Sequence, residues 1–244
     1  MATRDTGSTP DRALEWLGRL RLTDHSMRSV LGQVAALLKQ TLPGRPEASV
    51  TLLTGDRPTT AVSTGEPAVA LDGVQYGKGH GPCLTAARDG VVVEVPDTRT
   101  DDRWPDYLQA AVQHGCLSSL SLPLPLHEAV SGGVNVYARE PEAFDEASRE
   151  FAQRFTTYAA VVAGNMLVYE SALDRARNLE AAIASRAVID QAKGILMERF
   201  KLTPDQAFQA LARVSMLTNT KVRDVAARFV ETGEFEEGRL SARS

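Results

Sequence analysis

Residues 72–83 read Asp72-Gly-Val-Gln-Tyr-Gly-Lys-Gly-His-Gly-Pro-Cys83, and this glycine-rich run separates two stretches of short strand-like pattern. Glycine tolerates positive φ and proline suits the first turn of a helix, so residues 77–83 predict a tight turn that leads into a helix. A glycine loop can also hold phosphate, but this run lacks the G-x-x-x-x-G-K-[ST] spacing of phosphate-binding loops. We therefore interpret it as a structural turn, one that can border a pocket.

Short runs rich in β-branched and aromatic residues surround this turn, and their composition is typical of strands. They are residues 48–54, 60–63, 91–95, 118–126 and 133–138. Short helices fit residues 84–88 and 105–113. The order of helix, strands, helix, strands and a final long helix predicts an α+β domain, with helices grouped beside an antiparallel sheet.

Helical spacing dominates at both ends of this region. Apolar residues between 12 and 42 recur at intervals of three and four, which predicts a helix broken near Thr23–Asp24. A second helix of roughly 40 residues is predicted to begin near Asp145. Its heptad-like spacing favours a parallel coiled-coil dimer through residues 166–187, with Met166, Tyr169 and Leu173 as an exposed apolar stripe.

The C-terminal part predicts two further helices. Thr203, Pro204 and Gln206 form the pattern of a capping box that begins a helix. The predicted buried face of that helix consists of Ala207, Phe208, Leu211, Val214 and Leu217. The helical pattern breaks at residues 217–220, restarts at Val222 and ends at Thr232–Gly233. Together with the long helix, these helices predict a small three-helix bundle, and residues 1–10 and 233–244 are expected to be flexible.

Composition and charge restrict the class of protein. Hydrophobic residues make up 43% of the 244 residues and charged residues 24%, which excludes a disordered chain. No apolar run is long enough to span a membrane and the N-terminus lacks a signal region, so we expect a cytoplasmic protein without membrane contact. The net charge is −4, yet residues 181–230 contain eight basic and four acidic side chains. This asymmetry indicates an acidic sensing part joined to a part that binds nucleic acid.

No catalytic, metal or cofactor site is predicted. Cys83 and Cys116 lack the spacing of a metal site or redox pair, so we expect buried thiols. The serines lack a G-x-S-x-G frame and the four histidines are scattered. Four aspartates lie close together around Trp104, where turn and capping roles explain them: Asp97, Asp101, Asp102 and Asp106.

The first half of the chain resembles an actinobacterial GAF domain. The resemblance rests on residues 72–83 followed in order by Val95-Pro-Asp97, Asp101-Asp-Arg-Trp-Pro105, Gly133-Val-Asn-Val-Tyr137 and Ala143-Phe-Asp145. It implies a six-stranded antiparallel sheet flanked by helices, which senses a small molecule or dimerises, usually without catalysis.

Six side chains of this region combine apolar area with a few polar groups, as small-molecule sites do. The candidate ligand-binding residues are therefore Tyr76, Trp104, Ser119, Ser121, Asn135 and Tyr137. The alternative for Trp104 and Tyr137 is that they fill the core.

The C-terminal part resembles an ANTAR domain. The matching residues are Arg186-Ala-Val-Ile-Asp-Gln-Ala-Lys-Gly-Ile-Leu-Met197, Thr203-Pro-Asp-Gln-Ala-Phe208, Leu211 and Asp224-Val-Ala226. The resemblance implies a three-helix RNA-binding module that acts in transcription antitermination. Such modules typically bind paired stem-loops in leader RNA as homodimers and reach the transcription machinery only indirectly.

Residue chemistry agrees with RNA as the partner. Four cations suit phosphates, namely Arg186, Lys193, Arg199 and Lys221, while Gln191 and Asn219 offer donors and acceptors for base edges. Gly194 and Met197 complete the candidate set. The small residues Ala192 and Gly194 permit close approach either of RNA or of a neighbouring helix, and helix packing is the simpler interpretation for them.

These patterns predict a GAF-like sensor over residues 11–165, a coiled-coil linker over 166–180 and an ANTAR domain over 181–232. Two other functions remain open at this point. The C-terminal helices could form a DNA-binding helix-turn-helix whose recognition helix starts at Lys221. The GAF-like domain could instead be an enzyme, such as a sulfoxide reductase, although neither cysteine has an evident activating base beside it.

Overall fold

The computed structural model describes residues 9–127 and 130–235, and the chain divides into two compact units. The first unit ends at Glu170 and the second begins at Ser171. The helices are α1 (Pro10–Arg19), α2 (Met27–Thr41), α3 (Glu66–Lys78), α4 (Pro82–Asp89), α5 (Pro105–Gln113), α6 (Glu146–Phe200), α7 (Pro204–Thr218) and α8 (Val222–Thr232). The strands are β1 (Glu47–Thr54), β2 (Arg57–Ser63), β3 (Val93–Val95), β4 (Ser118–Pro123) and β5 (Val130–Ala138). Residues 1–8 and 236–244 of the predicted flexible termini lie outside the described residues.

The predicted break in the N-terminal helix is confirmed. Helices α1 and α2 are separated by a 3-10 turn at Leu22–Asp24, and Ser26 begins α2 by accepting a hydrogen bond from the Ser29 N–H at 3.3 Å. The Met27 N–H donates to Oε1 of Glu170 on α6 at 2.8 Å. The carboxylate lies at the positive end of the α2 helix dipole, where a negative charge is stabilising. Glu170 therefore connects the start of α2 to α6.

All strands of the sheet are antiparallel and follow the order β2-β1-β5-β4-β3. The described residues form five strands, whereas the resemblance implied six. The chain between β2 and β3 forms α3 and α4. This α+β architecture agrees with the predicted fold class.

The two faces of the sheet differ in polarity because side chains alternate along each strand. One face carries Val50, Leu120, Leu122, Val134 and Val136, which pack into a core with α1, α2 and α6. The other face lies beside α3, α4 and α5 and carries buried polar side chains: Ser49, Thr51, Ser119, Ser121 and Asn135. Buried polar side chains need hydrogen-bond partners, so this face of the sheet is the candidate functional site of the first unit.

Helix α3 was not predicted, and it shortens the predicted glycine turn. Gly77 lies inside α3, while the turn itself consists of residues 79–81, with φ of +74° at Gly79 and +150° at Gly81. A Cβ at Gly81 would overlap the Gln75 side chain, whose Oε1 accepts from the Cys83 N–H at 2.8 Å. Glycine is therefore needed at this turn, and Pro82 begins α4 as predicted.

Helix α6 begins where it was predicted, because Asp145 caps it by accepting from the Ser148 N–H at 2.8 Å. It extends for 55 residues, longer than predicted, since it runs without a break into the C-terminal bundle. The predicted exposed stripe is wrong. Met166 is fully buried, and Tyr169 and Leu173 are half-buried.

The second unit packs the C-terminal part of α6 with α7 and α8 around its own core. That core contains Ala192, Leu196, Ala207, Leu211, Val214, Val225, Ala226 and Phe229. The predicted capping box is present, with the Gln206 N–H donating to Thr203 Oγ1 at 3.2 Å and the Thr203 N–H donating back to Gln206 Oε1 at 2.9 Å. Phe208 and Leu217, which were predicted to be buried, are 42% and 66% exposed. Helical geometry turns them outward once Ala207, Leu211 and Val214 face the core.

Candidate functional sites

Buried polar side chains on the inner face of the sheet converge on Asp72 of α3. The carboxylate accepts from the Tyr137 hydroxyl at 2.6 Å, from Thr60 Oγ1 at 2.9 Å and from Asn135 Nδ2 at 3.4 Å. Asp72 itself is fully buried. Two of the predicted ligand-binding residues, Asn135 and Tyr137, thus meet on a carboxylate supplied by the unpredicted helix.

The hydrogen bonds continue around Asp72 and close into a ring. The Tyr76 hydroxyl lies 2.8 Å from Thr51 Oγ1 and 2.9 Å from Thr60 Oγ1. The Cys83 thiol donates to Thr51 Oγ1 at 3.1 Å, and Asn135 Nδ2 donates to the Cys83 sulfur at 3.1 Å. We call this set the Asp72 network; its members are Thr51, Thr60, Asp72, Tyr76, Cys83, Asn135 and Tyr137.

The network carries no cation to balance its carboxylate, since no lysine, arginine or histidine is among its described members. Burial raises the pKa of Asp72, although the hydrogen bonds from Tyr137 and Thr60 act in the opposite direction. Burial, together with the charge of Asp72, raises the pKa of Cys83 to about 12. The thiol is therefore protonated at neutral pH, and the network can donate and accept hydrogen bonds without presenting a thiolate nucleophile.

Two buried polar atoms at this site have no hydrogen-bond partner among the described residues. They are Asn135 Oδ1 on β5 and Ser121 Oγ on β4, and the two residues are cross-strand neighbours. Unpaired buried polar atoms cost free energy, so this pair can offer bonds to an incoming molecule. Ser119, also predicted as a site residue, instead accepts from the Tyr107 hydroxyl at 2.7 Å.

Trp104 lies apart from these hydrogen bonds. It immediately precedes α5, is half-buried beside the cluster that contains Tyr107 and Tyr137, and has the Arg103 guanidinium 4.7 Å from its ring centroid. Two of the four aspartates near it have the predicted turn role, because Asp97 and Asp101 each accept from the backbone N–H two residues later and bind the arginine there. In the described residues no group of three or more histidine, cysteine or acidic side chains could hold a metal ion.

Sequence reasoning missed four members of the site, namely Thr51, Thr60, Asp72 and Cys83. A signal was present in β1, where Ser49 and Thr51 alternate with Val50 and Leu52. Such alternation indicates a strand with one polar face, and a polar face that turns out to be buried needs partners.

The candidate RNA-binding residues of α6 lie on more than one side of the helix, and Arg186, Lys193 and Met197 share one of them. Arg186 and Lys193 both approach Asp190, at 3.6 Å and 3.2 Å, and positions 186, 190, 193 and 197 follow helical spacing. Gln191 is exposed, and Met197 is half-buried against the bundle core. Surface ion pairs of this kind are weak, so Arg186 and Lys193 remain available to an anionic partner.

Ala192 and Gly194 have different environments. Ala192 is fully buried in the bundle core, which agrees with a packing role. Gly194 is exposed, and a Cβ built there would meet no described atom within 4 Å. Among the described residues of this chain, therefore, no neighbouring helix packs against Gly194, and the structure gives the packing interpretation no support there.

The other candidates lie elsewhere in the second unit. Arg199 donates to the Gly233 carbonyl at 2.9 Å and its guanidinium lies 5.5 Å from the Phe200 ring centroid, so it connects α6 to the end of α8. Asn219 ends α7 in a left-handed conformation, and Lys221 is the exposed residue that precedes α8. These two residues share the α7–α8 turn rather than the α6 face.

No helix in the described part of the chain combines the length and the apolar character needed to cross a membrane.

Two family models match this chain, one in each of its two units. A family model described as GAF domain matches residues 24–162, and a family model described as ANTAR domain matches residues 177–230. No curated protein matches the chain.

Solved structures resemble the first unit. The reduced form of fRMsr of Staphylococcus aureus is 17% identical, with 67% of this chain and 99% of that chain covered and a TM-score of 0.51. The phycocyanobilin-bound GAF domain of a cyanobacterial phytochrome is 12% identical, with 66% and 96% covered and a TM-score of 0.51. At such identities the likeness concerns the fold alone. Because the GAF family model matches more than half of the chain, the chain belongs to the GAF domain family, and an ANTAR domain follows its GAF domain.

Proposed function

We propose that this protein is an RNA-binding transcription antitermination regulator, whose GAF domain senses a small molecule and whose ANTAR domain binds paired stem-loops in leader RNA as a homodimer. The observation that carries the proposal is the ANTAR match over residues 177–230, which falls on a unit with its own core. Regulation by a GAF sensor and an RNA-binding output fits this order of domains. A cytoplasmic location belongs to the proposal, because leader RNA is bound as it is transcribed.

The α6 face around Gly194 is the part of the unit that we propose for RNA contact. Arg186 and Lys193 supply cations for phosphate, and Gln191 presents an amide that can pair with a base edge. The open surface at Gly194 lets a ribose or phosphate approach the helix backbone closely. Asn219 and Lys221 are proposed as additional contacts from the α7–α8 turn, and Met197 and Arg199 as further contacts from α6.

The Asp72 network is the part of the GAF domain that we propose for ligand sensing. Asn135 Oδ1 and Ser121 Oγ lack partners, so a ligand that brings hydrogen-bond donors would gain bonds that the protein alone leaves unmade. To bind here, a ligand has to replace hydrogen bonds that join Tyr76, Asn135 and Tyr137 to the network. Ligand binding would therefore alter the packing of α3 and α4 on the sheet.

The RNA proposal is tested by measuring affinity for a leader hairpin at several salt concentrations. Lys193→Ala and Arg186→Ala are each expected to weaken binding several-fold and to reduce the salt slope by about one phosphate contact. Asp190→Asn is expected to strengthen binding, because it removes the negative charge between the two cations. Arg228→Ala, at an exposed position of α8, is the matched control.

The outcome separates RNA from DNA as the partner. If Lys193→Ala and Arg186→Ala bind the hairpin as the wild type does, this face is not the RNA site. If duplex DNA competes better than the hairpin and Arg223→Ala or Arg228→Ala abolishes binding, the helix-turn-helix alternative replaces the proposal.

The enzyme alternative predicts thiol-dependent turnover by the GAF domain. The raised pKa of Cys83 argues against it, since a protonated buried thiol is a poor nucleophile. A turnover assay with a methionine sulfoxide substrate and a thiol reductant tests it, with Cys83→Ser as the control. Turnover that disappears in Cys83→Ser would favour the enzyme.

A further inference from the structure

A small cavity in the first unit is bordered by three basic side chains. Its volume is about 40 Å³, and Arg45, His114 and Arg139 line it from three different segments of the chain. Arg45 lies in the turn before β1, His114 follows α5, and Arg139 follows β5. We call this space, with the residues that line it, the basic cavity.

The three basic side chains have no partner among the residues that the structure describes. None of them forms a side-chain hydrogen bond or an ion pair there. Other arginines of the same unit are paired, since Arg99 and Arg103 each lie 2.6 Å from the aspartate two residues earlier. The guanidinium N–H donors at the basic cavity are therefore free for an incoming anion.

Glu47 is the only acidic residue among the described residues that line the basic cavity, and another cation already balances it. Its two carboxylate oxygens accept from Lys39 Nζ at 2.7 Å and 2.8 Å, and the Thr64 hydroxyl donates to it as well. Burial raises the pKa of Glu47, but the hydrogen bonds from Lys39 and Thr64 outweigh burial, so the pKa is lowered. The charge of Arg139 acts in the same direction without forming an ion pair. Because Lys39 balances Glu47, the charges of Arg45 and Arg139 are left without a counter-charge.

Two buried residues, Cys116 and Tyr137, also line the basic cavity. Burial raises the pKa of Cys116 to about 12, so the thiol is protonated at neutral pH and does not repel an anion. The Tyr137 hydroxyl donates to Asp72 at 2.6 Å. The basic cavity therefore adjoins the Asp72 network through one side chain.

The backbone of Arg45 lies in the left-handed region, with φ of +50°, and follows Gly44 at +69°. A residue other than glycine is strained in this region because its Cβ crowds the backbone. Such strain is found where the surrounding structure imposes it, often at positions that bind ligands. The turn thus holds an arginine at the cavity although a glycine would suit the backbone better.

We propose that the basic cavity binds a small oxyanion, the carboxylate or phosphate group of a metabolite. Each guanidinium presents parallel N–H donors that match two oxygens of such a group, and the His114 imidazole adds a further donor. A cavity of this volume holds about three groups of the size of water, so the charged group fits and the rest of the ligand remains outside. This second ligand site goes beyond the sensing that we propose for the Asp72 network.

Isothermal titration calorimetry of the full-length protein tests the site. The two probes are sodium phosphate and sodium acetate, with the ionic strength held constant by sodium chloride. At least one probe is expected to bind saturably to the wild type. Binding of phosphate alone indicates a phosphate group, binding of acetate alone indicates a carboxylate, and binding of both shows that either group is accepted. If neither probe binds saturably, the proposal is overturned.

Two variants identify the cavity as the place of binding. Arg45→Gly and Arg139→Ala are each expected to weaken binding about tenfold or more, through loss of charge-assisted hydrogen bonds. Arg45→Gly is also expected to keep or raise the melting temperature, because glycine relieves the strained backbone there. Loss of binding in this variant therefore cannot come from unfolding.

Arg57→Ala is the matched control, because it removes an exposed arginine of β2 that does not line the basic cavity. This variant is expected to bind the probe as the wild type does. Wild-type affinity in Arg45→Gly or in Arg139→Ala overturns the proposal. An equal loss of affinity in Arg57→Ala overturns it too, since it would show attraction by net charge alone.

Discussion

At the scale of single residues, the protein keeps a carboxylate inside a domain without a counter-cation. Asp72 is held by the Tyr137 and Thr60 hydroxyls, and burial raises its pKa. A raised pKa in the folded state means that the folded protein binds the Asp72 proton more tightly than the unfolded chain does. The contribution of Asp72 to stability is therefore greatest in acid and is lost as pH rises through its folded pKa.

We expect Asp72→Asn to remove this pH dependence. The free energy of unfolding of the wild type should fall relative to that of Asp72→Asn as pH rises above 3.8, the ordinary pKa of an aspartate. Asp72→Ala is the contrasting change and should lose about 1–3 kcal/mol at every pH, since it leaves the Tyr137 hydroxyl unpaired. Urea unfolding of the three proteins between pH 4 and pH 8 measures this; parallel curves for wild type and Asp72→Asn would contradict it.

Part of this site could be predicted from the sequence. Tyr76, Asn135 and Tyr137 stand out as aromatic or polar residues in strand-like or turn contexts, and the structure joins them. Their common partner could not be predicted, because Asp72 is 63 residues from Asn135 in sequence and meets it only through the packing of α3 on β5. Long-range pairings of this kind depend on strand register and helix placement, which a residue pattern does not encode locally.

Among the helices, the residues that cap the first turn predicted where a helix begins, whereas the spacing of apolar residues did not predict which face of the helix is buried. The caps at Asp145 and Thr203 begin helices where the sequence predicts, because capping depends on neighbouring residues alone. Helix α3 was missed since Gly73 and Gly77 lie inside it and weaken its helical pattern. Heptad-like spacing does not tell which side of a long helix its own domain covers, and Met166, predicted to be exposed, is fully buried.

Gly194 lies inside α6, where a glycine makes a helix less stable than an alanine does. Gly194→Ala should increase the free energy of unfolding by roughly 0.5–1 kcal/mol, since the new methyl group meets no described atom within 4 Å. The same change should weaken hairpin binding if RNA approaches the helix backbone there. Thermal or urea unfolding and hairpin affinity are measured on the same preparation. A variant that is less stable would show that Gly194 serves packing after all.

At the scale of the whole molecule, the chain contains two units with separate cores. The first is built around the sheet, and the second around Leu196, Leu211 and Phe229. Units with independent cores unfold separately when their stabilities differ, so a single two-state transition is not expected.

We therefore expect two transitions in thermal or urea unfolding, each sensitive to changes in its own unit. Thr203→Ala should lower the stability of the second unit by about 1 kcal/mol through loss of its capping bond. Gly81→Ala should destabilise the first unit, because φ of +150° and the Gln75 side chain both oppose a Cβ there. Calorimetry of the two variants and the wild type measures this, and a shift of both transitions by either change would contradict it.

The hydrogen bond from the Met27 N–H to Glu170 also determines where the chain can be truncated. The match to the GAF family model ends at residue 162, whereas the carboxylate that receives the first N–H of α2 lies eight residues further along α6. A sensor fragment cut at the family boundary would leave the start of α2 without its acceptor, and the exposed N–H would have to bind water. A fragment of the sensor domain for ligand screening should accordingly extend through Glu170.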